Sequence, residues 1–598
     1  MKTPISLSDL TDSKLRELLG ASPVTVLVGS GISIWDPTNL PSGKAFSNGI
    51  FRGLFLEGSG EVEDPLGDEL EKVFNNIPFE NVMEQCPEPA ELTRWLKQIY
   101  TTSRYNSIHK ILAQALIEGA VSSIITTNYD CCLDQAITES VRSVRAVTTS
   151  PKRIVHKDDV DSFDHLDGCY FKIHGSADDT SGESLVFRLG HEGALRQWKQ
   201  ALLHRLLRKR TLLVIGYSGL DFEICPEMPL AKPHQIIWNF RSLEDISPSA
   251  RAVMEQVPGY IVIGDMRTLL SRTFTAVDAS IGTASINVES LLKRKFSPHT
   301  RQLWRVKLLN CLSYGKAALK EIETLLTTTN SSSLEKIWGL EEQARAFHYL
   351  GAYKSAALAY ESAISLARLE GLSPIKVCLL LLDTSDNWRC FGARRKSLRR
   401  IDEARSIVEA HRLDDPELLA SLALKELLIL RRKYQFATLL KVKPIKQRMQ
   451  RRAELLIKSA AQPFLASGSW FNLQQLRLWT DRFDLPSAVI AVPDSYEAPP
   501  PRQGYEHLGF PMAQMMVFRD ELDTGKRPLD EATAKELFDK VRFAERLGLN
   551  AEVWKLNYSL LKKFPSYRNG PNFKRFVKCF RACEYSFTMR IALLIIRP

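Results

Sequence analysis

Six short apolar runs set the kind of fold open to the first 264 residues. They are VTVLVG (24–29), VSSIIT (121–126), CYFKI (169–173), TLLVIG (211–216), HQIIWN (234–239) and GYIVIG (259–264). Each has the length and β-branched or aromatic content of a strand buried on both faces. Between them, NSIHKILAQALIEG (106–119) and GALRQWKQALLHRLLRK (193–209) carry apolar residues at helical spacing. Strands that alternate with helices need crossover connections, which give a parallel sheet covered on both faces. The expected fold class for residues 1–284 is therefore α/β, a Rossmann-like parallel sheet. Ligands of such sheets gather at the carboxyl ends of the strands. Four of the runs end there in polar or glycine-rich segments: GSGIS, TNYD, HGS and GYSGLD.

After about residue 285 the strand signal fades and helical texture takes over. RAFHYLGAYKSAALAYESAISLARLEG (345–371) places Gly351, Tyr353, Ala356, Tyr360 and Ala363 at the spacing of a tetratricopeptide unit, where small side chains let paired helices approach closely. IDEARSIVEAHRL (401–413) reads as the start of a second, degenerate unit. Residues 285–490 are expected to form an all-α helical-repeat region, since each helix pair must bury its open face on a neighbour. The proline-rich break VPDSYEAPPPRQG (492–504) cannot be helical. It sets off a C-terminal helical region, 491–598, with amphipathic helices over 529–548 and 550–564.

Composition excludes several classes. With 44% hydrophobic and 25% charged residues the chain is ordinary for a soluble globular protein. No apolar run approaches the ~20 residues that span a bilayer, and the N-terminus lacks the basic and apolar segments of a secretory signal. The ten cysteines show neither paired metal-ligand spacing nor a disulfide framework, which implies reduced thiols and a cytoplasmic chain. A net charge of +11 permits a nucleic-acid partner. Its excess lies in GARRKSLRR (392–400) and in 430–452, and solvated helix faces are the favoured reading of both.

The four strand ends carry the chemistry. In VTVLVGSGIS, Gly29 and Gly31 let the backbone approach a pyrophosphate, while Ser30 and Ser33 add hydroxyl donors. Ile34 stands where the standard dinucleotide fingerprint has its third glycine, and no acidic ribose partner follows about 20 residues on. The loop is thus a nucleotide loop of another type. In IITTNYDCCLDQA, Thr127, Asn128 and Asp130 follow the strand. An amide can donate to and accept from ribose hydroxyls or an ordered water, although Asx residues here can equally cap the next helix. YFKIHGS presents His174 before Gly175, and TLLVIGYSGLD supplies Gly216, Ser218 and Asp221.

The order of these motifs resembles the sirtuin family. There a G-x-G-I-S loop binds the NAD phosphates, an Asn-x-Asp strand end contacts the nicotinamide ribose and a His-Gly pair supplies the catalytic histidine. A late strand ends beside the cofactor in a small-residue turn. Gly29, Ser30, Gly31, Asn128, Asp130, His174, Gly216 and Ser218 fall on those motifs within residues 15–270. Asn106 and His109 resemble the family's structural Asn-x-x-His element, with His109 a satisfied helix histidine. The zinc ribbon of deacylating sirtuins is absent, and SIWDPTNLPSG (33–43) replaces their Pro-Asp-Phe-Arg segment. These departures resemble the divergent bacterial sirtuin-like domains fused to helical regions, whose members commonly destroy NAD in antiviral defence.

The resemblance implies an NAD+ glycohydrolase with NAD as substrate and no metal. Asn128 would hold the ribose hydroxyls and the attacking water, and His174 would be the base. Asp130 would bind the nicotinamide amide or orient Asn128. Gly175, with no side chain, would leave room for the ribose. The helical remainder would bind a trigger such as a phage protein, or assemble homo-oligomers, to switch on an abortive-infection effector. Two rivals stay open: a module that senses NAD or ADP-ribose without cleaving it, and a nucleic-acid-associated scaffold using the basic helices.

Overall fold

A computed structural model describes residues 3–56, most of 70–467 and 527–564. Interruptions fall at 72–73, 75–76, 78, 102–103, 144–149, 162–165, 181–183, 188–194, 196, 220–223, 275–285, 328–331 and 547–549. Isolated positions are described between 476 and 522. The proline-rich break at 492–504, Cys579, Cys583 and Asp221 lie outside the described residues. The chain divides into two compact units: Met1–Val62 with Pro78–Phe296, and Glu63–Ile77 with Ser297–Pro598.

The first unit is an eight-stranded, wholly parallel sheet. Its strands are β1 (Ile5–Ser6), β2 (Val24–Val28), β3 (Ser123–Thr126), β4 (Lys152–Ile154), β5 (Cys169–Lys172), β6 (Thr211–Ile215), β7 (Gln235–Phe240) and β8 (Gly259–Ile263). Their order across the sheet is β1-β8-β7-β6-β2-β3-β5-β4. All six strands read from the sequence are present. The two that escape it, β1 and β4, are the edges, two and three residues long.

Alternation along each strand divides the core into two layers. Val24, Val26, Val28, Ile124, Leu213 and Ile237 pack on one face, against helices Asp12–Gly20, Ser107–Ile117 and Met266–Thr273. Leu27, Ile125, Phe171, Leu212, Val214 and Trp238 pack on the other, against Gln197–Leu207 and Pro248–Gln256. Each fully buried aliphatic side chain contributes about 1.5–3 kcal/mol. Burying strands on both faces is what makes these runs continuously apolar rather than alternating. Thr25 and Ser123 are polar exceptions in the centre: their hydroxyls lie 2.9 Å apart, and that of Thr25 donates to Leu206 O at 2.7 Å.

The topology fixes where chemistry can collect. From β2 the chain moves to β3, passes to the edge at β4 and comes back to β5 between them. It then crosses past β2 to β6 and steps outward the other way through β7 and β8. β2 therefore lies at the switch point, where the loops after β2, β3 and β6 diverge and open a crevice. Val28, Thr126 and Ile215 are in register across β3-β2-β6, and Thr126 pairs with Lys172 of β5. The four polar segments thus leave the sheet from equivalent positions along one line.

Eight helices of the second unit form four successive antiparallel pairs. They are Pro298–Cys311 with Gly315–Thr327, Ser333–Tyr349 with Tyr353–Leu369, Pro374–Phe391 with Arg394–His411, and Pro416–Leu439 with Lys443–Ser467. Ala356 and Ala363 are wholly buried at the close approach within the second pair. Residues 401–413 differ from their sequence reading: they do not begin a repeat but complete the second helix of the third pair. Beyond these, Glu531–Arg546 packs on Asn550–Lys563. No described helix is long and apolar enough to cross a membrane, and the eight described cysteines are all free thiols.

Candidate active site

The loop after β2 enters a short 3-10 turn, Ser30–Ile32, which drives the Ser33 side chain inward. Ser33 is 2% exposed and is the hub of the site. Its hydroxyl donates to Asp130 Oδ2 at 2.8 Å and accepts from Asn128 Nδ2 at 3.1 Å. His109 Nε2 lies 3.2 Å from the same oxygen. His109 Nδ1 lies 3.2 Å from the backbone nitrogen of Asn106 and 2.8 Å from its Oδ1, so the ring bridges Asn106 and Ser33. Three polar neighbours at hydrogen-bond distance thus surround the hydroxyl. Burial holds the His109 imidazole neutral, pushing its pKa down to about 4.

Both Asx residues after β3 are engaged, in different ways. Asp130 Oδ1 accepts from the N–H of Cys132 at 3.0 Å, so Asp130 does cap the helix Cys132–Ser143. Asn128 does not. Its Nδ2 is held by Ser33, while its Oδ1 is buried with no hydrogen-bond partner among the described residues. Since Nδ2 faces an oxygen whose proton goes to Asp130, the amide orientation is settled by the network. An unsatisfied buried carbonyl costs about 1–3 kcal/mol unless a ligand or water supplies a donor.

Beside this hub, β5 ends in Lys172 and then His174. Lys172 is 1% exposed. Its ammonium donates to Asp130 O at 2.6 Å and to Asp134 Oδ2 at 2.9 Å. Asp134 also pairs with Arg153 of β4 at 2.8 Å and accepts from Tyr170 OH at 3.2 Å. Arg153 continues to Ser176 Oγ at 2.6 Å and to Asp178 at 2.5 Å. Burial raises the Asp178 carboxyl, but Arg153 and Ser176 outweigh it and bring it down to about 2. The network ties the segment carrying Asn128 and Asp130 to the segment carrying His174. His174 is buried, its ring stacked 6.4 Å from that of Tyr129.

Several glycines have reasons other than room for a ligand. A Cβ on Gly29 would lie 2.5 Å from Gly216 O, and one on Gly31 would lie 2.8 Å from Gly216 Cα. Two loop backbones touch here, joined by Gly31 N–H donating to Gly216 O at 2.9 Å. Gly175 adopts φ +88°, and a Cβ there would meet Ser184 O at 2.0 Å. The space that a side chain on Gly175 would take is filled by the protein's own backbone, which replaces the sequence-based account of ribose clearance. Of the other expected site residues, Ser30 and Ser218 are exposed at the strand ends, and Thr127 donates its N–H to Val28 O at 3.0 Å. The structure thus joins Ser33, Asn128 and Asp130 directly, and brings Gly29, Gly31 and Gly216 into contact.

Lys172, Arg153, Asp134 and Tyr129 escaped the sequence reading. A signal for Lys172 was present: alternation in YFKIHGS puts it on the same strand face as His174, and a lysine inside a buried strand needs a buried partner. His109, Asp130 and Cys132 place three donor atoms within 4.8 Å of one another, the described group able to hold a cation. All three are already hydrogen-bonded, and burial with the neighbouring Asp130 charge raises the Cys132 thiol far from its metal-binding thiolate form.

A doubly wound parallel sheet with polar groups massed at its switch point is a nucleotide-binding class of architecture. Residues 122–225 match the model of a SIR2-like domain, a span that holds Asn128, Asp130, Lys172, His174, Gly216 and Ser218. No curated protein matches the chain. Among solved structures, a signal transduction ATPase with numerous domains and a tetratricopeptide repeat sensor, from Pyrococcus horikoshii, is 12% identical. The alignment covers 100% of this chain and 98% of that one, and its TM-score of 0.19 marks no common fold.

Proposed function

We propose that the first unit hydrolyses NAD+ at the nicotinamide–ribose bond. The observation that carries this reading is Asn128, whose amide nitrogen is pinned while its buried carbonyl oxygen is left to accept a hydrogen bond. A ribose hydroxyl or the attacking water supplies that bond. Asp130 has both oxygens occupied by protein donors, so its role is to fix Ser33 and, through it, Asn128. The match of residues 122–225 to a SIR2-like domain supports NAD as the substrate.

The bond from the ribose anomeric carbon to nicotinamide nitrogen breaks, and its electron pair leaves with nicotinamide as a neutral base. Water oxygen bonds to the anomeric carbon, and His174 accepts the proton that water loses. Imidazole has an ordinary pKa of ~6.5, suited to that exchange near neutrality. The products are nicotinamide, ADP-ribose and a proton. The loop residues Gly29, Ser30, Gly31, Gly216 and Ser218, of which Ser30 and Ser218 are exposed, would face the pyrophosphate.

The helical pairs act in this reading as the sensor that releases activity, through a phage protein or another trigger and through homo-oligomers, in an abortive-infection response. The test is nicotinamide release by the full chain, alone and with candidate phage proteins, for the wild type, Asn128→Ala and His174→Ala. Release lost in both variants supports hydrolysis. NAD binding without release under every condition would make the site a sensor instead.

A further inference from the structure

The turn inside each helical pair is basic and carries no carboxylate of its own, while Arg400 and Lys446 beside two of the turns pair with Glu361 and Asp484. Successive helices run up and down, so the four within-pair turns share one end of the stack and the between-pair turns share the other. No Asp or Glu occurs in 311–320, 349–360, 390–401 or 427–453. Lys316, Lys354, Arg394, Arg395, Lys396 and Lys443 are exposed there, and every pair supplies at least one. At the opposite end the signs alternate, with Glu335 beside Lys336, Arg368 near Glu370 and Arg412 near Asp414.

This placement works against the fold. A helix macrodipole favours acidic residues in the first turn and disfavours cations, yet none of the four second helices has an acid there. The cations also repel one another. Such an arrangement becomes favourable when a polyanion lies along that end of the stack.

We propose that this end of the helical stack binds the phosphate backbone of nucleic acid. Packed helices are spaced 8–10 Å apart, so four pairs carry cations over a line of about 30 Å. That length matches about nine base pairs of duplex, which offers phosphate charge continuously along it. A single nucleotide or free phosphate would engage one turn and leave the cations of the other three beyond its reach. Binding through phosphates is independent of base sequence and weakens steeply with salt. The inference rests on the helical unit alone and holds whether or not the first unit cleaves NAD.

The test is fluorescence anisotropy of the full chain with labelled 30-mer duplex DNA and single-stranded RNA, from 50 to 200 mM salt. Binding is expected, with log K falling linearly in log salt. The triple variant Arg394→Gln, Arg395→Gln, Lys396→Gln should bind at least 10-fold more weakly, with a salt slope smaller by about two to three units. Lys336→Gln with Arg412→Gln, at the other end, should stay within 2-fold. If the triple variant fails to fold, Lys316→Gln with Lys354→Gln decides by a loss of at least 3-fold. No binding at 50 mM salt, or binding that these substitutions leave unchanged, overturns the proposal. So does a preference for phosphatidylserine vesicles over both nucleic acids.

Discussion

In the sheet unit the polar side chains of the site converge on one line of strand ends, whereas in the helical unit buried polar side chains are strung from helix to helix. Ser33, His109, Asn128 and Asp130 meet at one hydroxyl. Glu341 instead bridges Arg345 on its own helix and Lys376 on the next pair, each at 2.6 Å. Asn310 reaches Glu342 at 3.0 Å and His348 reaches Asn387 at 2.9 Å, again between neighbouring pairs. Burial raises the Glu341 carboxyl, but Arg345 and Lys376 outweigh it and hold it below the ordinary range. Parallel strands that start together also end together, so their loops gather distant residues at one place. Helical pairs repeat one interface, so their polar contacts recur along the stack and suit recognition of something extended.

The contrast can be broken most sharply at its densest point. Asn128→Ala should lower NAD cleavage by about 10²–10³-fold without changing the far-ultraviolet circular dichroism; wild-type turnover would show that the hub is only structural. Lys172→Met should cost about 1.5–3 kcal/mol in urea unfolding, because it removes the ammonium that donates to both Asp130 O and Asp134. A loss under 1 kcal/mol would mean that the strap does not hold the two loops.

The next effect is in pH. His109 is neutral in the fold with a pKa of about 4, against about 6.5 unfolded. Between those values only the unfolded state binds the proton, so stability is complete above pH 6.5 and falls as pH drops, by about 3 kcal/mol at pH 4. Unfolding midpoints of wild type and His109→Gln across pH 4–7 should converge at the acid end. Parallel curves would remove His109 from the account.

Smaller losses belong to the helical unit, where each contact is one of many. Asn310→Ala should cost about 1–2 kcal/mol by leaving Glu342 without one of its buried donors. Ser332→Ala should cost about 1 kcal/mol, since it opens the capping box with Glu335. Effects as large as that of Lys172→Met at either position would show that the helical pairs depend on single keystones rather than repetition.

The strands and the order of the strand-end motifs were legible in the sequence because continuous apolar runs and their polar endings are local patterns. The edge strands β1 and β4 were not. Two or three residues paired on one side leave no periodicity to read. The partners of each site residue were also hidden. Ser33, 97 positions before Asp130, was read as a phosphate donor because its loop is glycine-rich, while its hydroxyl is spent inside the protein. Gly29 and Gly175 were recognised as glycines that matter, but what they avoid is backbone from another loop, which no local pattern shows.

The strand order also has a consequence for synthesis. β2 emerges early from the ribosome, yet its neighbours are β3, whose Ser123 meets Thr25 across 98 positions, and β6, which begins at Thr211. For most of the time taken to translate the first unit, the central strand has no partner on one side or either. Such distant pairing is slow and leaves strand edges open to wrong partners. The hub around Ser33 cannot assemble before residue 130 is available, and the contact of Gly31 with Gly216 must wait for β6. Each helical pair, by contrast, can close as soon as its second helix is made. The part of the chain synthesised first therefore completes its site only after about a third of the molecule has been made.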